Sequence, residues 1–431
     1  MAASPRKEIF WYTCGPRPDR SPPLGEELAA DAVVVGGGMA GLSAAQRLRE
    51  HGLSVVLLEK EFCGAGASGK SSGFITPDSE LQPAALMSRF GSERARRLWA
   101  FPVGGVETIR ANIQKFGISC DYQLQDSLFI ANRDGEFGLM EEEHRARAAI
   151  GYQSRLYPPD KTLEIIGSSD YAGAVRFPDT FGINAHAYCL GMKKELEQQG
   201  IAIYEGSPVT AIDDLGVRTA AGRVRAGAVV LTTDRFTPQL GLLKNRVYHA
   251  QAFLMASAPL SDRDINRVFP SGPLMVWDTD LIYQYYRPIG GNRLLLGGGS
   301  ILNVYNKKES RRTGRIVKKL DRYFRRKFPD VAVEWDYVWT GLIGVAQDIL
   351  PMAGRDSRRP NLYYAAAGAG LPWSAAAGCY VADMLALGRN DYEEFFSPER
   401  KFVIPDRITG IIGAKAAFAL SYLWSEYYQK G

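Results

Sequence analysis

The 431-residue chain has few of the side chains that commonly build metal sites and disulfides. It contains five cysteines, none in a C-x-x-C pair, and four histidines, none at H-x-x-x-H spacing. These absences argue against a zinc or iron–sulfur site and fit a reducing compartment. The N-terminus places Arg6, Lys7 and Glu8 before Trp11, without the apolar core of a signal peptide. We therefore expect a cytoplasmic protein with no bound metal.

An excess of one charge is also missing. Lys plus Arg is 52 and Asp plus Glu is 47, giving +5, a balance that does not argue for nucleic acid. The densest basic stretch is Lys307–Arg326. Its spacing favours a helix with a solvated charged face and with Ile316, Leu320, Tyr323 and Phe324 turned inward. A patch for phosphate or anionic lipid is the alternative.

Long apolar runs are scarce as well. The segment Ile408–Trp424 carries one charge, Lys415, but it falls short of the about 20 residues that a spanning helix needs. We expect residues 401–431 to form an apolar C-terminal helix that docks on the protein or on a second subunit. Membrane association through residues 405–431, whose aromatic end suits an interface, is the alternative.

The sequence does contain a nearly complete nucleotide-binding βαβ unit. Apolar strands Ala32–Val35 and Ser54–Leu58 enclose a helix predicted from Met39 to His51, which Gly52 ends. The first strand leads into glycines at G-x-G-x-x-G spacing, and the second ends at an acid. A strand before the glycines, a helix after them and an acid at the right distance make this motif much more specific than glycines alone.

Each residue type in this unit has a physical reason. Gly36 allows a tight turn, Gly38 lets the backbone approach a pyrophosphate, and Gly41 lets helix and strand pack closely. The helix N-terminus offers free N–H groups to phosphates. Glu59 is placed to accept both ribose hydroxyls of an adenosine. The predicted binding residues of the unit are Gly36, Gly38, Met39, Ala40, Gly41, Glu59 and Lys60.

The rest of the chain alternates between helical and strand patterns. Helices are predicted over 84–116, 138–150, 188–199, 311–328 and 372–387. Strands are predicted over 122–131, 202–204, 209–213, 229–232, 248–256, 281–287, 293–297, 338–346 and 362–366. The alternating strands between 247 and 300 indicate an antiparallel sheet in a second lobe.

Four motifs follow one another along the chain: the glycines of 36–41, the loop Gly-Ala-Ser-Gly-Lys-Ser-Ser-Gly-Phe of 66–74, the stretch Trp-Thr-Gly-Leu-Ile of 339–343 with Asp-Ile-Leu-Pro-Met-Ala-Gly-Arg of 348–355, and Gly-Ala-Gly-Leu of 368–371. Together they resemble the D-amino-acid oxidase-like family of FAD-dependent oxidoreductases, and within it a branch that oxidises γ-glutamylated amines. The resemblance covers nearly the whole chain, and four motifs in order are more specific than one.

This resemblance implies tightly but non-covalently bound FAD. Backbone N–H groups of the 66–73 loop would wrap the pyrophosphate and reach the flavin ring. The helix after Gly370 would point its N-terminal dipole at the flavin's pyrimidine end and stabilise the anionic reduced flavin. The further cofactor residues implied are Gly66, Ala67, Ser68, Ser71, Ser72, Gly73, Val209, Thr232, Thr233, Gly341, Asp348, Gly368, Gly370 and Leu371.

Several positions depart from the family pattern. Ala369 replaces a histidine, Lys70 an arginine, and Leu295 a lysine that helps oxygen react in related oxidases. No cysteine lies near 341–354, which argues against a covalent cysteinyl link to the flavin. These departures leave oxygen and another electron acceptor, such as a quinone, both open.

The expected fold is α/β, with a discontinuous Rossmann-type FAD-binding domain and a second, antiparallel-sheet substrate lobe. Residues 1–30 are predicted to form an extended N-terminal arm. The FAD-binding domain is assigned to 31–85, 185–240 and 345–400, and the substrate lobe to 86–184 and 241–344.

The expected activity is oxidation of a primary or secondary amine by hydride transfer to flavin N5. The predicted substrate contacts are Tyr285, Tyr286, Arg287 and Trp373. Aromatic walls suit an amine through cation–π contact, and Arg287 suits a carboxylate. Packing roles for the tyrosines and a surface ion pair for Arg287 are the alternatives. A membrane-associated dehydrogenase and an FAD-stabilised structural subunit are the alternative functions.

Overall fold

The computed structural model describes residues 5–15, 19–78, 81–304, 314–368, 370–405 and 408. The predicted C-terminal apolar helix and Ala369 lie outside these described residues. Among the described residues, none of the helices is long and apolar enough to cross a membrane.

The helices and strands alternate along the chain. The strands are β1 (Glu27–Val35), β2 (Val55–Leu58), β3 (Phe74–Ile75), β4 (Gln123–Leu124), β5 (Asp126–Ile130), β6 (Arg155–Tyr157), β7 (Ala174–Phe177), β8 (Phe181–Gly182), β9 (Ala202–Tyr204), β10 (Ala211–Asp213), β11 (Gly216–Arg218), β12 (Arg223–Leu231), β13 (Tyr248–Ser257), β14 (Leu274–Asp278), β15 (Tyr285–Ile289), β16 (Arg293–Val304), β17 (Trp335–Val345), β18 (Met352–Arg355) and β19 (Leu362–Ala366). The helices are α1 (Met39–Glu50), α2 (Pro83–Phe116), α3 (Phe137–Ala149), α4 (Pro159–Thr162), α5 (Ala185–Gln198), α6 (Asp262–Val268), α7 (Gly314–Lys327), α8 (Leu371–Leu387) and α9 (Glu393–Phe396). Short 3₁₀ helices span Phe10–Thr13, Ser68–Lys70 and Asp234–Leu240.

The first sheet has a parallel core in the order β9, β2, β1, β12 and β19. The hairpin of β10 and β11 and the strand β18 add antiparallel edges. Side chains alternate along β1: Ala32 and Val34 pack toward the helices, and Val33 and Val35 toward the other side. Burial on both faces explains why the strand is a continuous apolar run.

Helices α1 and α8 pack unusually closely on the helix-covered side of this sheet. A Cβ at Gly378 in α8 would lie 2.1 Å from the carbonyl oxygen of Ala40 in α1. This close approach requires a residue without a side chain, and it brings the N-termini of both helices to the same edge of the sheet.

The second sheet follows the order β17, β13, β16, β15, β14, β5, β7 and β6. Its pairs are antiparallel except for β14 with β5. Helix α7 covers one face, with Leu320, Tyr323 and Phe324 buried in the sheet's core. The predicted inward orientation of these three side chains is confirmed, whereas the basic Lys327 at the end of α7 is also buried, with its ammonium 3.8 Å from the centre of the Tyr171 ring.

The predicted mixed α/β architecture is confirmed, and most elements lie where the patterns placed them. One strand starts late: the segment 281–287 was expected to be extended, but β15 begins at Tyr285. The Asp278 carboxylate accepts hydrogen bonds from the N–H groups of Asp280 and Gln284, which holds the preceding residues in a turn. The predicted domain boundaries remain a prediction, since the sheets alone do not define them.

Candidate active site

A cavity of about 270 Å³ opens at the carboxyl ends of β1, β2, β12 and β19. This edge of a parallel sheet is where doubly wound folds bind ligands. The structure brings together here the predicted residues Gly36, Gly38, Met39, Ala40, Glu59, Lys60, Gly66, Ala67, Ser68, Val209, Thr232, Thr233 and Gly368. Residues separated by more than 300 positions in sequence therefore line one cavity.

The strand-to-helix turn at this cavity depends on two glycines. Gly36 has φ +114°, and a Cβ at Gly41 would lie 1.9 Å from the Gly36 carbonyl oxygen. The Thr232 hydroxyl donates to that same carbonyl at 3.0 Å and to the Val35 carbonyl at 2.9 Å. Gly41 therefore acts through close packing, as its position in the motif predicts, and does not itself line the cavity.

Glu59 lies at one end of the cavity and is held by the backbone. Its Oε2 accepts from the Gly37 N–H at 2.8 Å and its Oε1 from the Glu61 N–H at 2.9 Å. Burial raises the pKa of this carboxyl above its usual value. The Lys60 ammonium lies 3.5 Å from the centre of the Phe236 ring on the same side. An acid fixed in this way is suited to accept ribose hydroxyls.

A second cavity, of about 200 Å³, continues from the first. The two share Ala67, Ser68, Ile343, Gly368 and Ser374. The second is also lined by the predicted residues Ser71, Ser72, Tyr285, Gly341, Gly370 and Leu371. A ligand that starts at Glu59 can therefore extend past the 66–73 loop into this second space.

Aromatic side chains form much of the wall of the second cavity. They are Phe74, Trp277, Tyr283 and Tyr285. The polar side chains of the lining include Lys70, Thr76 and Asp78. This combination suits an apolar or cationic small molecule held beside a planar ring.

Three donors hold successive carbonyl groups of the loop between the two cavities. The pairs are Trp339 Nε1 to Lys70 O at 2.9 Å, Trp11 Nε1 to Ser71 O at 2.8 Å, and Arg287 Nε to Ser72 O at 3.0 Å. Because the donors bind these carbonyl groups on the side away from the cavity, the other side of the loop faces the cavity. The N-terminal Phe-Trp-Tyr segment thus contributes directly to the shape of the site.

Two of the predicted substrate contacts on β15 lie away from the cavity. Tyr286 is fully buried on the opposite face of the sheet and its hydroxyl lies 3.1 Å from that of Tyr171. Arg287 is also fully buried and donates to backbone carbonyls behind the loop. Strand alternation sends Tyr286 inward, and the loop covers Arg287, so Tyr285 is the strand residue left at the cavity.

Three further predicted residues have structural roles instead. The Trp373 indole is buried in the helical core and donates to the Pro77 carbonyl at 2.9 Å. Asp348 lies outside both cavities and forms an ion pair with Arg400 at 2.7 Å. Gly73 does not line either cavity. It packs against the backbone of Ile183, because a Cβ at Gly73 would lie 1.9 Å from the Ile183 carbonyl oxygen.

Some residues of the site carried no recognisable signal in the sequence. Asp78 and Thr76 follow the glycine-rich loop, and Trp277 comes from β14. Asp234, by contrast, directly follows the predicted Thr232 and Thr233, in the turn that the resemblance places beside the FAD. It has φ +46° and accepts from the Gly344 N–H at 2.7 Å and the Ala367 N–H at 3.0 Å. Its carboxylate thereby joins the ends of β17 and β19 beside the cavity.

The two connected cavities fit FAD. The glycine turn and the start of α1 lie where a pyrophosphate would bind, and Glu59 lies where the adenosine ribose would bind. The N-terminus of α8, at Gly370 and Leu371, borders the second cavity, where a flavin ring would lie. The residues present therefore satisfy the requirements of the phosphate, ribose and ring portions.

Comparison with known proteins identifies the family of the chain. The sequence model of the family described as DAO, FAD dependent oxidoreductase, matches residues 31–384. A gamma-glutamylputrescine oxidoreductase of Escherichia coli is 30% identical over 384 residues, covering 86% of this chain and 86% of that protein. A probable oxidoreductase OrdL of Haemophilus influenzae is 30% identical over 391 residues, covering 87% of each.

Solved structures share the fold. Glycine oxidase from Geobacillus kaustophilus superposes with a TM-score of 0.70 at 22% identity, covering 87% of this chain and 100% of that one. L-proline dehydrogenase from P. horikoshii gives a TM-score of 0.71 at 19% identity, covering 88% and 98%.

Proposed function

The chain belongs to the DAO family of FAD-dependent oxidoreductases, and from this premise we propose that it oxidises a primary or secondary amine with non-covalently bound FAD. The observation that carries the proposal is the continuity of the two cavities. The first has the features of a dinucleotide site, and the second, where the flavin ring would lie, has aromatic walls that would also contact a substrate beside the ring.

An amine is favoured by the wall of the second cavity. Trp277, Tyr283 and Tyr285 offer aromatic faces to a cation, and Asp78 adds a carboxylate. The relative from Escherichia coli is named for a γ-glutamylated diamine, which agrees with an amine substrate in this chain. Because Arg287 donates to backbone carbonyls and lies outside the cavity, it does not support a substrate that is held chiefly by its carboxylate.

The reaction we propose needs little acid–base equipment from the protein. Bound FAD would supply the acceptor for the hydride that leaves the carbon next to the neutral amine nitrogen. The amine loses two electrons and becomes an iminium, which water hydrolyses to a carbonyl compound and ammonia or a shorter amine. The electrons then pass to oxygen or to a carrier. The residues of this chain orient the amine carbon and exclude water around it.

Non-covalent attachment is supported by the composition of the cavity walls. Among the described residues that line the two cavities there is no cysteine or histidine to form a link to the flavin. Cys63 lies behind the glycine turn and is fully buried. Acid precipitation of the purified protein tests this point: the yellow colour should leave with the supernatant, and colour retained in the pellet would overturn it.

The activity is tested by anaerobic mixing of the FAD-loaded protein with γ-glutamylputrescine, putrescine, sarcosine, glycine and L-proline. Reduction appears as bleaching of the flavin band near about 450 nm. At least one amine should bleach the flavin, and readmitted oxygen or an added quinone should restore it and so identify the acceptor. If dithionite reduces the flavin and none of the amines does, the protein is an FAD-binding structural subunit instead.

A further inference from the structure

A buried group of three charged residues lies behind the wall of the second cavity. Arg147 Nε is 2.7 Å from Glu143 Oε1, and Arg147 Nη2 donates to Asp78 Oδ1. All three side chains are at most 2% exposed. The Arg147 guanidinium also lies 3.6 Å from the centre of the Phe177 ring, which closes its far side.

The charges in this group do not balance. When both carboxylates are ionised, two negative charges face one guanidinium, which leaves one buried negative charge without a cation. A buried unpaired charge is costly, so the group requires either a proton or another cation. Burial raises the pKa of Glu143 to about 7, with a smaller contribution from the charge of Asp78, and burial also raises the pKa of Asp78.

Only one of the two carboxylates, among the described residues, borders the cavity. Glu143 is not among the residues that line it, and its Oε2 accepts from the Ala84 N–H at 3.1 Å. Asp78 lines the cavity beside Thr76, whose hydroxyl donates to Asp78 Oδ2 at 3.2 Å. A cation that enters the cavity would therefore meet the negative charge at Asp78, with Trp277 and Tyr285 on the same wall.

We propose that Asp78 is a specificity-determining residue that binds an ammonium group of the substrate, and that Glu143 and Arg147 position it. This inference rests on the proposed amine oxidation. An ammonium held beside a carboxylate keeps its proton, whereas the oxidised nitrogen must be neutral. The nitrogen at Asp78 is therefore not the one that is oxidised, and the substrate class is an amine with a second, protonated nitrogen.

A pair of ligands that differ only in charge tests the carboxylate without turnover. Choline carries a quaternary nitrogen, and 3,3-dimethylbutan-1-ol has a carbon in its place. Each is titrated into the FAD-loaded protein while perturbation of the flavin absorption spectrum is followed. Wild-type protein should bind choline at least about tenfold more tightly than the alcohol, as expected for attraction between a cation and a buried carboxylate. The variant D78N should reduce this preference to what the aromatic walls alone supply, while its affinity for the alcohol is retained.

Two further variants test the effect of the buried negative charge without changing a residue that lines the cavity. E143Q leaves the cavity wall intact but removes one negative charge, so it should reduce the preference for choline. E142Q removes a carboxylate from an exposed position on the same helix and should leave the preference unchanged. If D78N does not retain FAD, the comparison of E143Q with E142Q decides the question.

The outcomes distinguish this inference from the proposed function. Equal affinity of the wild-type protein for choline and the alcohol, or an unchanged preference in both D78N and E143Q, overturns the role of Asp78 even if amines reduce the flavin. A strong preference for choline with no flavin reduction by any amine supports the cation site and overturns the oxidase.

Discussion

The guanidinium Nε of Arg287 lies 3.0 Å from the carbonyl oxygen of Ser72. Its Nη2 donates to the carbonyl of Ile183 at 2.7 Å, and the side chain has no solvent-exposed area. Burial lowers the pKa of Arg287 to about 10. The arginine therefore joins the loop beside the flavin site to the strand β15 and to the segment before α5.

Replacing this arginine should destabilise the protein and weaken its hold on FAD. In R287Q the shorter amide cannot reach both carbonyls, which leaves buried acceptors without donors. We expect a loss of about 2 to 4 kcal/mol in the free energy of unfolding, measured with urea on the FAD-loaded protein. The control R225Q removes an exposed arginine that pairs with Glu27 and should cost less than about 1 kcal/mol. An equal effect of the two changes would contradict the role given to Arg287.

Two adjacent glycines in α2 give a second matched comparison. A Cβ at Gly105 would lie 2.0 Å from the carbonyl oxygen of Pro372, which lines the second cavity, whereas one at Gly104 would meet nothing within 4 Å. G105A should push α2 from the start of α8 and lower the stability by about 2 kcal/mol or more. G104A should stabilise by about 0.5 to 1 kcal/mol, because alanine is the better helix former. Thermal unfolding of the two variants measures both, and similar midpoints would refute the packing argument.

The parts of the site that could be predicted from sequence are those made by local spacing. The turn at Gly36, the helix that follows it and the acid at Glu59 lie within one βαβ unit, so their separation in sequence fixes their separation in space. The parallel pairing of β1 with 55–58 belongs to the same unit. Its partner on the other side, 223–231, was not predictable in the same way, because only the fold sets which strand lies there.

The substrate cavity was predicted less well because its wall is assembled from distant segments. Alternation along β15 allowed either Tyr285 or Tyr286 to face the cavity, and sequence alone does not say which face is covered by α7. Asp78 was missed because its importance depends on Arg147, which comes from a helix almost 70 residues later. Arg287 was assigned to a ligand because an arginine near a cavity resembles a carboxylate site until its burial is known.

Glu59 should contribute strongly to FAD affinity. Both of its carboxylate oxygens accept backbone N–H groups, from Gly37 and Glu61. In E59Q one N–H group faces an amide that cannot accept, and one acceptor for the ribose is lost. We expect the dissociation constant for FAD to rise about tenfold to hundredfold, measured by quenching of flavin fluorescence on binding. E61Q changes a more exposed neighbour and should alter the constant by less than about threefold.

Asp278 is a buried carboxyl in the turn before β15. It is 2% exposed and its Oδ1 accepts from the N–H groups of Asp280 and Gln284. Burial, with a smaller contribution from the nearby charge of Asp280, raises the pKa of Asp278 to about 7. In the unfolded chain the same group titrates near pH about 3.9. Between these values the folded protein keeps a proton that the unfolded chain has lost, so stability falls as the pH rises from about 4 to about 7.

The variant D278N should remove this dependence, because an amide resembles the protonated acid and does not titrate. Its stability relative to wild type should therefore increase between about pH 5 and about pH 8, by about 2 kcal/mol. Urea unfolding of both proteins at the two pH values measures the difference in their free energies of unfolding. The contributions of the other titrating groups are the same in both proteins and cancel in this difference. The exposed Asp134 provides the control, since D134N should show the same difference from wild type at both pH values. If the D278N difference is likewise constant with pH, the carboxyl of Asp278 is already ionised in the folded protein at the lower pH.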